Sequence, residues 1–121
     1  NDEEKINSIL SEDLFVLSTI PPESGKDPVM ENYGHLLEKN NERIKSVGYL
    51  STTSVYGDKK GEWVTEDTVP EPNLERSISR VAVEKLWLKF GEKFSIKTLI
   101  FRLAGIYGPG RSLIDRLIML C

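Results

Sequence analysis

The sequence predicts an α/β fold, a partial parallel sheet in the order strand, helix, strand, helix, strand, helix. Three observations carry that expectation. Short apolar runs of strand length alternate with longer segments whose apolar residues recur every three or four positions. Each run ends in a proline, glycine or hydroxyl-rich turn signal. Finally, 121 residues, 39% of them apolar and 29% charged, suit one domain with one core.

The first run, "LFVLSTI" from Leu14 to Ile20, is apolar until Ser18 and closes on Pro21-Pro22. It reads as a strand over 14–20 buried on both faces. Asp27 before Pro28 predicts an N-cap with proline in the first helical position, and Val29, Tyr33, Leu36 and Leu37 continue at helical spacing to Asn40-Asn41. A helix over 28–40 follows. The second strand spans 46–53 and includes "VGYLSTT"; after it, residues 57–72 form a long polar loop with Gly61, Trp63, Pro70 and Pro72. From Leu74, the positions Ile78, Val81, Ala82, Leu86 and Phe90 mark a helix over 74–93, its buried stripe widened by Val83 and Trp87 and its end expected near Gly91 or Phe94. A third strand over 96–106 runs into "YGPGR", and "SLIDRLIML" reads as a last helix over 112–120.

Such alternation implies parallel strands joined by right-handed crossovers. If the strands lie side by side in chain order, both crossover helices fall on one face, and the other face is left bare although its residues are apolar. The last helix, a partner copy of the chain or a missing N-terminal half of the domain must complete the sheet. The missing half is favoured, because the chain begins at Asn1 and ends inside an apolar segment as though cut from something longer.

Charge and composition remove several function classes. A formal net charge of -3 without a basic run offers no attraction for nucleic acid. Cys121 is the single cysteine, which excludes an internal disulfide and a zinc cluster and favours a reducing intracellular compartment. His35 stands in a helical segment as a surface or boundary residue rather than a ligand. No apolar run reaches the roughly 20 residues of a membrane span, so a soluble protein is expected.

Taken together, "STIPPESGKDPVMENYG", "GYLSTTSVYGDKKGEWVTEDT" and "FRLAGIYGPGR" resemble the second half of the extended short-chain dehydrogenase/reductases, in particular an atypical epimerase/dehydratase-like branch. The likeness covers about residues 14–115. It implies a single partial NAD(P)-binding Rossmann-like domain over 1–121 that contributes the fourth, fifth and sixth strands. The glycine-rich turn that cradles a pyrophosphate is absent from these 121 residues. The resemblance implies NAD or NADP as cofactor, contacted by Ser18, Thr19 and Ile20, by Leu50 and Ser51, and by Leu103, Gly105 and Ile106. Thr52 corresponds to the family's hydroxyl that holds the substrate's reacting oxygen, although Ser51 to Ser54 read alone could simply end a strand by bonding local backbone.

The family's acid/base pair is a tyrosine and a lysine four residues on, one helical turn along the same face. Those positions hold Arg76 and Arg80 here. An arginine stays protonated and takes no proton near neutral pH. Two readings stay open: a surface ladder of Arg76, Arg80 and Glu84, worth about 0.3–0.5 kcal/mol per pair, or a cationic floor for a substrate or cofactor phosphate. Tyr56 is no substitute for the tyrosine. Gly105 replaces the family's common asparagine, and Arg111, after the Gly108-Pro109-Gly110 turn, is a further candidate for a diphosphate.

The resulting expectation is an NAD(P)-binding protein that resembles nucleotide-sugar epimerases and dehydratases, with dinucleotide and nucleotide-sugar ligands in the complete protein and no metal, nucleic-acid or membrane partner. The alternatives are a non-enzymatic assembly module acting as a homodimer, or a fragment without activity of its own.

Overall fold

The computed structural model describes residues 2–9, 13–110 and 112. Its elements are α1 (Asp2–Ile9), β1 (Leu14–Ser18), α2 (Pro28–Lys39), β2 (Ile44–Thr52), α3 (Glu75–Phe94) and β3 (Lys97–Leu103). Helix α1 was not anticipated from "NDEEKIN". The expected helix over 112–120 and Arg111 lie outside the described residues, apart from Ser112.

The strands form one parallel sheet in the order β1-β2-β3, with Val16 beside Val47 and Tyr49 beside Ile100 in register. Strands β1 and β3 are shorter than expected, for a reason visible in the ladder. The last pairings are Ser18 with Tyr49 and Thr52 with Leu103, after which β2 turns into a 3₁₀ turn over Thr53–Tyr56 and offers no further partner. On the β1 side, Pro21 and Pro22 have no N–H to continue a ladder.

Helices α2 and α3 cover the same face. Their Leu37, Val83, Trp87 and Phe90 close over Ile44, Val47, Tyr49 and Ile96 to make the core, with Val16, Val29, Met30 and Ile100 at its border. Asp27 locks the two helices together. One carboxylate oxygen caps α2 by accepting from the Val29 and Met30 N–H groups at 2.8 and 3.0 Å, and the other accepts from Trp87 Nε1 at 2.8 Å. The opposite face carries Phe15, Leu17, Leu99, Phe101 and Leu103, all exposed, Phe15 to 77%. This is the bare apolar face that the strand order implies.

Helix α3 is rotated from its expected setting. Ile78, Ala82 and Leu86 are exposed, while Ser77, Glu84 and Gly91 join Val83, Trp87 and Phe90 on the buried side. Each of these non-apolar residues has a local reason to be there. Ser77 bonds the Ser54 hydroxyl, Glu84 pairs with Arg102, and Gly91 lets α3 touch β3. A Cβ at Gly91 would run into Thr98 Oγ1 and stand 2.7 Å from the Ile96 carbonyl oxygen. Gly91 is therefore inside the helix rather than at its end, and the chain leaves α3 through Ser95 in the left-handed conformation, φ 56°.

The loop over 57–72 folds back on its own base. Gly57 has φ +73°, and a Cβ there would fall on the Glu71 carbonyl oxygen. The Tyr56 hydroxyl donates to the Thr65 carbonyl at 2.9 Å, and Lys59 pairs with Glu71 across the neck at 2.5 Å. Among the described residues no helix is long and apolar enough to cross a membrane.

Candidate functional site

Parallel strands leave their C-terminal ends at one edge of the sheet, where connecting loops diverge and a crevice opens. Here the β1–α2 loop contributes Pro21, Pro22, Ser24 and Gly25, the end of β2 contributes Thr52 and Ser54, and the first turns of α3 contribute Glu75, Arg76, Ser79 and Arg80. The space between them is about 710 Å³.

Thr52 stands at the junction of strand and 3₁₀ turn. Its Oγ1 accepts from the Ser54 N–H and donates to Ser54 Oγ, both at 3.2 Å, and Ser54 Oγ lies 2.9 Å from the buried Ser77 Oγ. The hydroxyl thus caps local backbone and faces the crevice at once, so the two readings of "STTS" both describe it. Three hydroxyls in a chain have defined orientations, which a lone surface threonine lacks.

The arginine ladder is not formed. Glu84 is 2% exposed, and Arg102 binds it through Nε at 3.2 and 3.3 Å and through Nη2 at 2.8 Å. Arg102 also reaches the Tyr56 hydroxyl at 3.1 Å, and its guanidinium pKa is raised, first by the hydrogen bonds to Glu84. Arg80 turns the other way: its Nη1 donates to the Leu50 carbonyl at 2.8 Å and to the Tyr49 hydroxyl at 3.1 Å. The Tyr49 side chain is fully buried, and desolvation raises its pKa above 10.0 although Arg80 pulls the other way, so it stays a neutral phenol at physiological pH. Arg76 is exposed at the crevice and makes no hydrogen bond or ion pair among the described residues.

Of the residues expected at the site, the crevice gathers Thr52, Arg76 and Arg80. Ser18 and Ser51 are buried under the helices instead, 3% and 5% exposed, and their hydroxyls have no partner among the described residues. Leu50 contributes its carbonyl to Arg80. Thr19, Ile20, Leu103, Gly105 and Ile106 lie at or beyond the strand ends, exposed and outside the crevice lining. Tyr49, Ser77 and Arg102 were not anticipated, and Glu84 was expected only as a rung of the surface ladder. A charge inside the apolar run "LIFRLAGI" was the available signal for a buried ion pair, but its partner lies 18 residues earlier in the chain.

A parallel sheet with helices packed on it and a crevice across its strand ends defines a Rossmann-like domain, of which this chain holds three strands. The chain belongs to the NAD dependent epimerase/dehydratase family, whose model matches residues 32–120. It is 36% identical over 66 residues to an uncharacterized UDP-glucose epimerase, YtcB, of Bacillus subtilis (strain 168), an alignment covering 54% of this chain and 21% of that protein. Among solved structures, a conserved protein of unknown function from Silicibacter pomeroyi DSS superposes with a TM-score of 0.74 at 41% identity, over 85% of this chain and 36% of the other. UDP-glucuronic acid 4-epimerase from Bacillus cereus, in complex with NAD, superposes with a TM-score of 0.67 at 25% identity, over 94% and 40%. The chain therefore spans two-fifths or less of the length of these relatives.

Proposed function

We propose that the complete protein binds NAD or NADP together with a nucleotide-sugar or related small molecule across these strand ends, and that it lacks the family's ordinary acid/base pair. The observation that carries this reading is the crevice itself. In a chain of this family, Thr52 lines the space between the strand ends together with Arg76 and Arg80, the two positions to which the resemblance assigns a tyrosine and a lysine. Thr52 orients a substrate oxygen. Arg76 and Arg80 remain protonated and accept no proton, so any base comes from outside this segment, or the protein binds without turnover.

The fit to a dinucleotide is partial. The exposed strand-end residues Thr19, Ile20, Gly105 and Ile106 leave room beside the crevice, and among the described residues nothing stands within 4 Å of a Cβ built at Gly105. These residues, with Leu103 and the backbone around Leu50 and Ser51, would hold the nicotinamide and its ribose. The pyrophosphate cradle belongs to residues beyond this chain. When bound, the cofactor would supply hydride transfer. Fluorescence titration of the full-length protein with NADH and NADPH tests the proposal, and failure of both to bind defeats it.

A second reading concerns assembly. Leu74, Ile78, Ala82 and Leu86 recur every fourth residue on the exposed side of α3, a stripe that a second copy of the chain would bury, while the bare sheet face suits the rest of the domain. Sedimentation of the full-length protein and its Leu86→Lys variant separates the two. A dimer that the variant dissociates supports the second copy, and a monomer in both cases removes it.

A further inference from the structure

Among the described residues, the crevice carries three formal charges, Glu75, Arg76 and Arg80, for a net +1 in a chain of net -3. Neither cation is paired with a carboxylate among the described residues. Arg80 is held by a carbonyl and a buried phenol, both neutral. The carboxylates that could have compensated it are committed elsewhere, Glu84 to Arg102 and Asp27 to the cap of α2 and to Trp87. No ion pair among the described residues joins Glu75 to either arginine.

Only Nη1 of Arg80 is used by Tyr49 and Leu50, so Nε and Nη2 keep their donors on a guanidinium already fixed in place. Half-buried and pre-oriented, it loses little freedom when it binds a second partner. Arg76, one helical turn earlier, brings a whole planar fork to the same space. Beside them stand the oriented hydroxyls of Thr52 and Ser54, and Ser79, while Pro21 and Pro22 form a wall without N–H donors that suits the C–H face of a ring or chain.

Resting on the reading that this crevice is the substrate site, we infer that it takes a compact oxyanion carried by a polyhydroxylated small molecule, with Arg76 as the anion's principal contact and Thr52, Ser54 and Ser79 facing its hydroxyls. A neutral sugar would cover both guanidinium groups without offering either one a counter-charge, and a metal cation would be repelled by them. The anion is either a carboxylate, as in a sugar acid, or a phosphate, as in a sugar phosphate; guanidinium forks bind both in the same way.

The test is calorimetric titration of the full-length protein, with saturating NADH, by D-glucuronate, D-glucose 6-phosphate and D-glucose. We expect at least one of the two anions to bind about tenfold or more tightly than D-glucose, the better one identifying the source of the oxyanion. Arg76→Ala should remove that preference and Arg76→Lys should restore part of it, with NADH and NADPH affinities and the circular dichroism spectrum unchanged. Equal binding of anions and D-glucose overturns the inference, as does an anion preference that survives Arg76→Ala. So does a loss confined to cofactor affinity, which would assign Arg76 to a cofactor phosphate. Failure of NADH to bind, with the anion preference intact, would instead strike the dinucleotide proposal and leave this one standing.

Discussion

Replacing Glu84 by alanine distinguishes sharply between two descriptions of helix α3. As the last rung of an exposed ladder, Glu84 would contribute about 0.3–0.5 kcal/mol. In the folded chain, however, its carboxylate is only 3% exposed and holds Arg102, itself 19% exposed, in three hydrogen bonds. Removing one partner of such a pair leaves a desolvated charge behind and costs about 3–5 kcal/mol. Arg102 keeps some access to water and the Tyr56 hydroxyl, so the lower end applies, about 3 kcal/mol. Urea unfolding of the full-length protein, followed by far-UV circular dichroism, measures it. With slopes of about 1–3 kcal/mol/M the midpoint should fall by roughly 1–3 M. A loss below about 1 kcal/mol would refute the buried-pair argument. The double variant Glu84→Met with Arg102→Met should recover most of the loss, because it leaves no charge unpaired.

Three further outcomes follow from the same packing. Gly91→Ala should destabilise the protein by about 1–3 kcal/mol in thermal or urea unfolding, because its Cβ meets Thr98 and the Ile96 backbone, and Thr98→Ala should relieve only the first of these clashes. Asp27→Ala should cost about 2–4 kcal/mol, combining the loss of an N-cap with an unsatisfied Trp87 N–H, and Trp87 fluorescence should report the changed hydrogen bond. Tyr49, whose folded-state pKa is raised by burial, contributes stability that is fully present below about pH 10 and is lost as the pH rises through the folded-state value. Unfolding free energy should accordingly decline above pH 10, and Tyr49→Phe should flatten that decline in alkaline urea titrations.

Much of the frame is legible in the residues as they stand. Pro21-Pro22, Asp27-Pro28 and the apolar runs bracket β1 and α2 because proline geometry and capping act over a few neighbouring residues. With the strands side by side in chain order, the bare face follows from crossover handedness, and Phe15, Leu17 and Phe101 are exposed on that face. The crevice position of Thr52 is also readable, since strand ends in a parallel sheet converge there.

The rotation of α3 is not readable in the same way. Hydropathy treats Ile78, Ala82 and Leu86 as core and Ser77, Glu84 and Gly91 as surface, yet the folded helix does the reverse.

By itself, then, the sequence determines the three strands, the two helices between them and the alternation that makes the sheet parallel. Only the tertiary structure decides that Glu84 belongs to Arg102, that Arg80 leans on Tyr49 and Leu50, and that Arg76 faces the crevice without a partner among the described residues. The physical reason is range. Capping and periodicity act within a turn or two of chain, whereas the burial of a charge depends on partners that are 18 to 31 residues away in sequence and adjacent only after folding.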